Sequence, residues 1–207
     1  MSGFFLCLEG IDGAGKTTQV RRLARRLGAL SLDVVTVREP GGTGLGEAIR
    51  RIVQDPAKVI DARAEACLYA AARAELVAQV IRPALKAQKI VVADRFSAST
   101  LAYQGAGRGL PEELLAQLNA LVTQGINPDL TVVIDLPVEE ALARVGREKD
   151  RMERLDETFF VRVRRCYLRL AREEGSRFAV VDGTGTPEEV EEEIFRVVLE
   201  ALKRCTK

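Results

Sequence analysis

A short apolar run, FFLCLE at positions 4–9, leads directly into GIDGAGKT and then into a stretch with helical periodicity. No other segment limits the possible folds as tightly. The loop holds three glycines, at 10, 13 and 15, around one lysine, so it has little side chain of its own. Glycine lets successive backbone N–H groups converge on one point, and the positive end of the following helix is aimed at the same point. An anion such as phosphate fits that arrangement. Strand, Gly-x-x-x-x-Gly-Lys-Thr and helix in this order make a P-loop. A turn that only had to be tight would need no Lys-Thr pair at this spacing, so the expected cradle for a nucleotide is Gly10, Ile11, Asp12, Gly13, Ala14, Gly15, Lys16, Thr17 and Thr18. Backbone N–H groups from Asp12 to Thr18 would wrap the β-phosphate of ATP. Lys16 would bridge the β- and γ-phosphates, and the Thr17 hydroxyl would ligate Mg2+.

Beyond this loop, short β-like runs alternate with long helix-like ones. Strands are expected at 4–9, 33–38, 90–94, 130–136 and 178–182, most of them continuous apolar runs of the kind buried on both faces of a parallel sheet. Helices are expected over 16–30, over an alanine-rich stretch bent or restarted near Pro83, over LPEELLAQLNALVTQG, and from Thr186 onward, where Thr186 and Glu189 stand in capping-box order. The alternation predicts a doubly wound α/β domain spanning 1–207, without repeats or linkers. Four of the five strands end in or just before an acidic residue, and the carboxyl ends of strands are where such sheets bind ligands.

Composition narrows the chemistry. With 31 basic and 30 acidic residues the formal charge is +1, which disfavours a nucleic-acid partner. The absence of histidine argues against zinc chemistry and Ser-His hydrolysis. Four scattered cysteines include no C-x-x-C pair, and no segment approaches the roughly 20 apolar residues of a membrane span. A soluble, reduced, cytoplasmic protein is expected. No Asn-Lys pair is available for a guanine-reading N-K-x-D element, so a kinase of nucleotides is favoured over a GTPase switch.

A kinase joining two phosphorylated molecules needs cations for the acceptor phosphate and for the transition state. Asp94-Arg95 stands at a strand's carboxyl end, where it is either a ligand site or a sheet-edge ion pair. Arg73 lies in a core-like alanine-rich helix, where a bare cation needs an anion unless it snorkels to the surface. Arg144, Arg147, Arg151 and Arg154 are spaced 3, 4 and 3 apart and would share one face if the segment is helical. They form either a solvated basic face or, with Gly146 allowing motion, a lid at about 143–155 that closes over ATP and expels water.

Six stretches together carry a family resemblance: EGIDGAGKTTQ, TVREPGGTGLGEAIR, AEACLYAAARAELV, ADRFSASTLAYQGAGRG, NPDLTVVIDLPVEEAL and DRMERLDETFFVRVRRCYLRLA. The chain resembles bacterial thymidylate kinases over nearly its whole length. The resemblance implies a P-loop NTPase fold with a five-stranded parallel sheet flanked by helices, a homodimer, and transfer of phosphate from Mg-ATP to dTMP on the way to dTTP. It implies that Asp12 contacts the acceptor sugar or phosphate region and that Arg73 and Arg95 grip the dTMP phosphate. Tyr69 would stack near thymine, Thr100 and Gln104 would read its edge, Tyr103 would pack on the deoxyribose, and Pro40 and Ser99 would belong to the same pocket. Thr17 and Asp94 are the candidate metal ligands. An aromatic wall and amide and hydroxyl partners are what a flat base with a polar edge requires, although core packing would also explain the tyrosines.

Two departures bear on mechanism. Position 13 is glycine where the eukaryotic branch has a P-loop arginine, so Arg147 and Arg151 of the lid are expected to supply the cation that speeds transfer, alongside Lys16, Asp12 and Arg95. Ala72 stands where many relatives have aspartate. Another nucleoside monophosphate kinase, a nucleoside kinase and a regulator without catalysis are the rival readings.

Overall fold

Consecutive residues of the first strand serve opposite faces of a sheet, and all are apolar until Glu9. In the computed structural model, which describes residues 3–146 and 150–205, this strand is β1 (Phe4–Glu9). Phe4, Leu6 and Leu8 pack into one core with Leu23 and Leu27 of α1 (Lys16–Ala29), Phe160 and Val163 of α8 (Glu157–Glu173), and Ile194 and Val198 of α9 (Pro187–Cys205). Phe5 and Cys7 point the other way, into a second core with Leu76, Val77 and Ile81. Burying an aliphatic or aromatic side chain of this size contributes about 1.5–3 kcal/mol. Only an unbroken apolar run can serve both layers.

The remaining strands are β2 (Val34–Arg38), β3 (Ile90–Asp94), β4 (Leu130–Asp135) and β5 (Phe178–Asp182). Every pairing is parallel, in the order β2-β3-β1-β4-β5. The expected strands are matched within one residue. The Thr186–Glu189 capping box is also present: the Glu189 carboxylate accepts from the Thr186 N–H at 2.8 Å, and the Thr186 hydroxyl accepts from the Glu189 N–H at 3.3 Å.

Between β2 and β3 run α2 (Gly44–Gln54), capped by Thr43, α3 (Ala62–Leu76), a π-helical turn over Val77–Ile81, and α4 (Arg82–Lys86). The expected break near Pro83 begins earlier, in that widened turn. Proline cannot donate to the carbonyl four residues back, Gln79, and the π turn spreads the disruption over residues 77–81. After β3 come α5 (Ser97–Thr100) and a second π-helical turn, Leu101–Gly107, followed by α6 (Glu112–Thr123). The last short helix, α7 (Val138–Arg144), ends in extended backbone at Val145. Arg144, Arg151 and Arg154, the described members of the arginine set, therefore do not share a helix face. Arg144 closes α7, Arg151 and Arg154 lie in turns, and Arg147 lies outside the described residues. Among the described residues, no helix is long and apolar enough to cross a membrane.

Candidate active site

β1 and β3 are neighbours, with Leu8 opposite Asp94, yet the chain leaves them toward opposite sides of the sheet. Such a switch point opens a crevice at the carboxyl ends of the two strands. A cavity of about 480 Å3 occupies this position. One wall is the P-loop, through Asp12, Gly13, Gly15, Lys16, Thr17 and Thr18. The other carries Pro40, Tyr69, Arg73, Asp94, Arg95, Ser99, Thr100, Tyr103 and Gln104. Gly10, Ile11 and Ala14 are buried and do not line the cavity.

The P-loop is held from below. Gly13 has φ +83°, and a Cβ there would stand 2.1 Å from the Ala141 carbonyl oxygen of α7. Glycine is required on both counts. The Lys16 ammonium donates to the Ile11 carbonyl at 2.8 Å. Burial, and then repulsion from Arg95, push its pKa down to about 8. A cation made this uncomfortable favours the arrival of an anion. The Thr17 hydroxyl donates to Asp94 at 2.5 Å. These two oxygens suit a hard cation such as Mg2+, which is commonly held by one or two protein oxygens together with substrate phosphates.

Arg95 sits in the left-handed region at φ 72°, which costs a non-glycine residue about 1–3 kcal/mol. Its backbone N–H donates to the Leu8 carbonyl, and its side chain turns back over the P-loop. There it donates to Asp12 at 2.6 Å, Tyr103 at 3.0 Å and the Gly10 carbonyl at 3.0 Å. Tyr103 also donates to the second Asp12 oxygen at 2.8 Å. Burial works against the Asp12 carboxylate, but Arg95, Lys16 and the Tyr103 hydroxyl together hold its pKa below the ordinary value. Beneath Arg95, Glu9 accepts from Ser99 and Tyr167, whose hydroxyls also face the guanidinium.

A model of the thymidylate kinase family matches residues 8–194. Thymidylate kinase from Deinococcus radiodurans is 50% identical over 200 residues, covering 96% of this chain and 97% of that protein. The enzyme from Symbiobacterium thermophilum is 48% identical over 202 residues, covering 97% and 94%. The chain belongs to the thymidylate kinase family. The crystal structure of thymidylate kinase from Ehrlichia chaffeensis superposes with a TM-score of 0.81 at 34% identity, covering 96% of this chain and all of that one.

Two of the expected arginines are engaged by the protein itself: Arg73, on the cavity wall, and Arg151. Arg73 has no donor left for a phosphate. It is 1% exposed, and all five of its N–H groups are committed: to Glu39 (2.6 and 2.8 Å), Thr100 (2.8 Å), Asn119 (2.7 Å) and the Phe96 carbonyl (3.0 Å). Ala72 is core, and Glu39 supplies the carboxylate that orients Arg73. Arg151 does not line the cavity. Its side chain donates to the Val53 carbonyl at 2.8 Å and pairs with Glu65 at 2.6 Å, while its N–H takes the Gln54 carbonyl. It thereby caps the C-terminus of α2, where a cation is favourable.

Sequence reasoning overlooked Arg38 and Arg50, which also line the cavity. Arg50 donates to the Pro40 carbonyl at 3.0 Å, and burial followed by the nearby Arg38 pulls its pKa down. Both lie in the stretch TVREPGGTGLGEAIR, Arg38 two residues before Pro40 and Arg50 at its end. Arg50 carries no local signal of its own, because only the start of α2 just after that loop brings it to the Pro40 carbonyl.

Proposed function

We propose that this chain transfers the terminal phosphoryl group of Mg-ATP to dTMP, giving dTDP and ADP. The observation that carries this reading is the facing of two unlike walls across one cavity. A P-loop lysine with a depressed pKa stands on one side, and Arg50 and Arg95 stand on the other. The P-loop takes the donor. Arg50 and Arg95 hold the acceptor phosphate, with Asp12 and Tyr103 yielding part of the Arg95 guanidinium to it.

Thr100 and Gln104 meet the edge of the base, and Tyr69 provides its wall. An acceptor phosphate oxygen attacks the γ-phosphorus in line, and the bond to the β-bridging oxygen breaks as ADP leaves. No proton-abstracting base is needed, because positioning and charge stabilisation dominate such transfers. Mg2+, when bound at Thr17 and Asp94, offsets phosphate charge. The lid cation is assigned to Arg144, which lines the cavity, together with Arg147. Arg151 acts as an anchor for the lid.

A homodimer fits the surface. Leu114 and Leu121 on α6, and Leu45 and Ile52 on α2, are exposed pairs seven residues apart. Light scattering at micromolar protein tests this, with twice the chain mass expected.

The deciding assay is ADP release from Mg-ATP with dTMP, dUMP, dCMP, dGMP, dAMP and free thymidine. Preference for dTMP supports the proposal. Activity with thymidine alone would move the chain to the nucleoside kinases, and tight ATP binding without turnover would favour a regulator.

A further inference from the structure

Glu65 never reaches the cavity, yet it controls what one cavity residue can offer. It has no exposed surface and lies on α3 between three partners. Gln104 donates to it through Nε2 at 2.8 Å, Arg108 donates at 3.0 Å, and Arg151 of the lid segment pairs with it at 2.6 Å. Burial opposes the charge on Glu65, but Arg108, Gln104 and Arg151 outweigh it and hold the pKa below its usual value. An ionised carboxylate only accepts hydrogen bonds. Gln104 must therefore turn its amide nitrogen toward Glu65 and leave its oxygen for the cavity it lines. Thr100 accepts from Arg73 at 2.8 Å, so its own hydroxyl proton is left to donate.

The resulting edge has one acceptor and one donor. A thymine or uracil ring matches it with N3–H and O4. Cytosine presents the reverse, a bare N3 and an amino group. We infer that Glu65 is a positioning residue that selects the base by fixing the Gln104 amide with its oxygen toward the substrate. This rests on the reading that dTMP places its base beside Gln104. Because one arm of the clasp is Arg151, the same carboxylate ties base selection to the seating of the lid segment.

The test compares kcat/KM for dTMP, dUMP and dCMP at fixed Mg-ATP in the full chain. Glu65→Gln should reduce the preference for dTMP over dCMP by about tenfold or more, since the amide is then free to turn. The preference between dTMP and dUMP should stay within about twofold, because both present the same N3–H and O4. Glu65→Asp keeps the charge that both arginines need while withdrawing the oxygen from Gln104, and should move the dCMP preference in the same direction. Equal losses with all three acceptors in both variants would reduce Glu65 to a structural role and overturn the inference. Gln104→Ala separates the two levels. If it abolishes the preference while both Glu65 variants keep it, the inference alone fails. If it leaves the preference intact, the placement of the base fails with it.

Discussion

The two walls of the cavity handle charge in opposite ways. On the P-loop wall, Lys16 is buried with a backbone carbonyl as its hydrogen-bond acceptor, and its pKa falls to about 8. On the facing wall, Arg73 and Arg95 each have a carboxylate of the protein's own, Glu39 and Asp12. The first wall leaves a cation in want of an anion, so its binding energy is realised when a phosphate arrives. The second wall satisfies Arg73 and Arg95 beforehand and thereby fixes the shape of the pocket, while Arg50, which donates to the Pro40 carbonyl and has a lowered pKa, is left for phosphate. It follows that substitutions on the first wall should cost activity, and those deep in the second should cost stability.

The largest expected effect tests the second half of that contrast. Arg73→Met would leave the buried Glu39 carboxylate without its partner, at a cost of about 3–5 kcal/mol. Urea denaturation would show it as a lowered midpoint. Unchanged stability combined with a raised KM for dTMP would return Arg73 to the phosphate and break the contrast. Lys16→Met is the counterpart. Losing one preorganised cation at a transferring phosphoryl group should lower kcat about 100- to 1000-fold. The melting temperature should hold or rise, because a desolvated charge has been removed.

Arg73 also shows what the sequence could and could not disclose. Its place in an alanine-rich helix demands an anion, but the anion is Glu39, 34 residues earlier, brought alongside only where the chain just after β2 meets α3. The partners of Arg151, Glu65 and the end of α2, are likewise remote in sequence. The strands and the P-loop were readable because their determinants are local: apolar runs, glycine spacing, a lysine at one fixed offset. Arg95 was readable for an intermediate reason, being attached to a strand end whose location the sheet topology dictates. Side chains whose partners are set by tertiary packing carry no such mark.

Arg151→Ala sharpens the comparison at the proposed lid. It removes one of the two guanidinia facing Glu65 and the side-chain cap on Val53, and should destabilise by about 1–3 kcal/mol. KM for dTMP should rise along with any fall in kcat. A collapse of kcat with stability and KM intact would instead make Arg151 the transition-state cation.

Lys16 gives a pH dependence confined to the first wall. Only its protonated form attracts phosphate, and in the free enzyme that form is lost as pH climbs past about 8. The value of kcat/KM for ATP reports the free enzyme, so it should decline above this pH, approaching about tenfold per pH unit. A flat profile to pH 10 would mean that the ammonium is not destabilised and that the two walls are alike.

The smallest effect lies where the walls meet. Tyr103→Phe keeps the ring against Phe159 but deletes the hydroxyl that links Asp12 and Arg95. The hydroxyl's two hydrogen bonds are lost, but Asp12 and Arg95 still hold each other at 2.6 Å, which keeps the net cost to about 0.5–1.5 kcal/mol. If Arg95 belongs functionally to the acceptor, this should appear as a two- to tenfold rise in KM for dTMP, with KM for ATP unmoved. An equal rise in both constants would place Arg95 and Asp12 on the P-loop side, and the boundary between the walls would have to be drawn on the far side of Arg95.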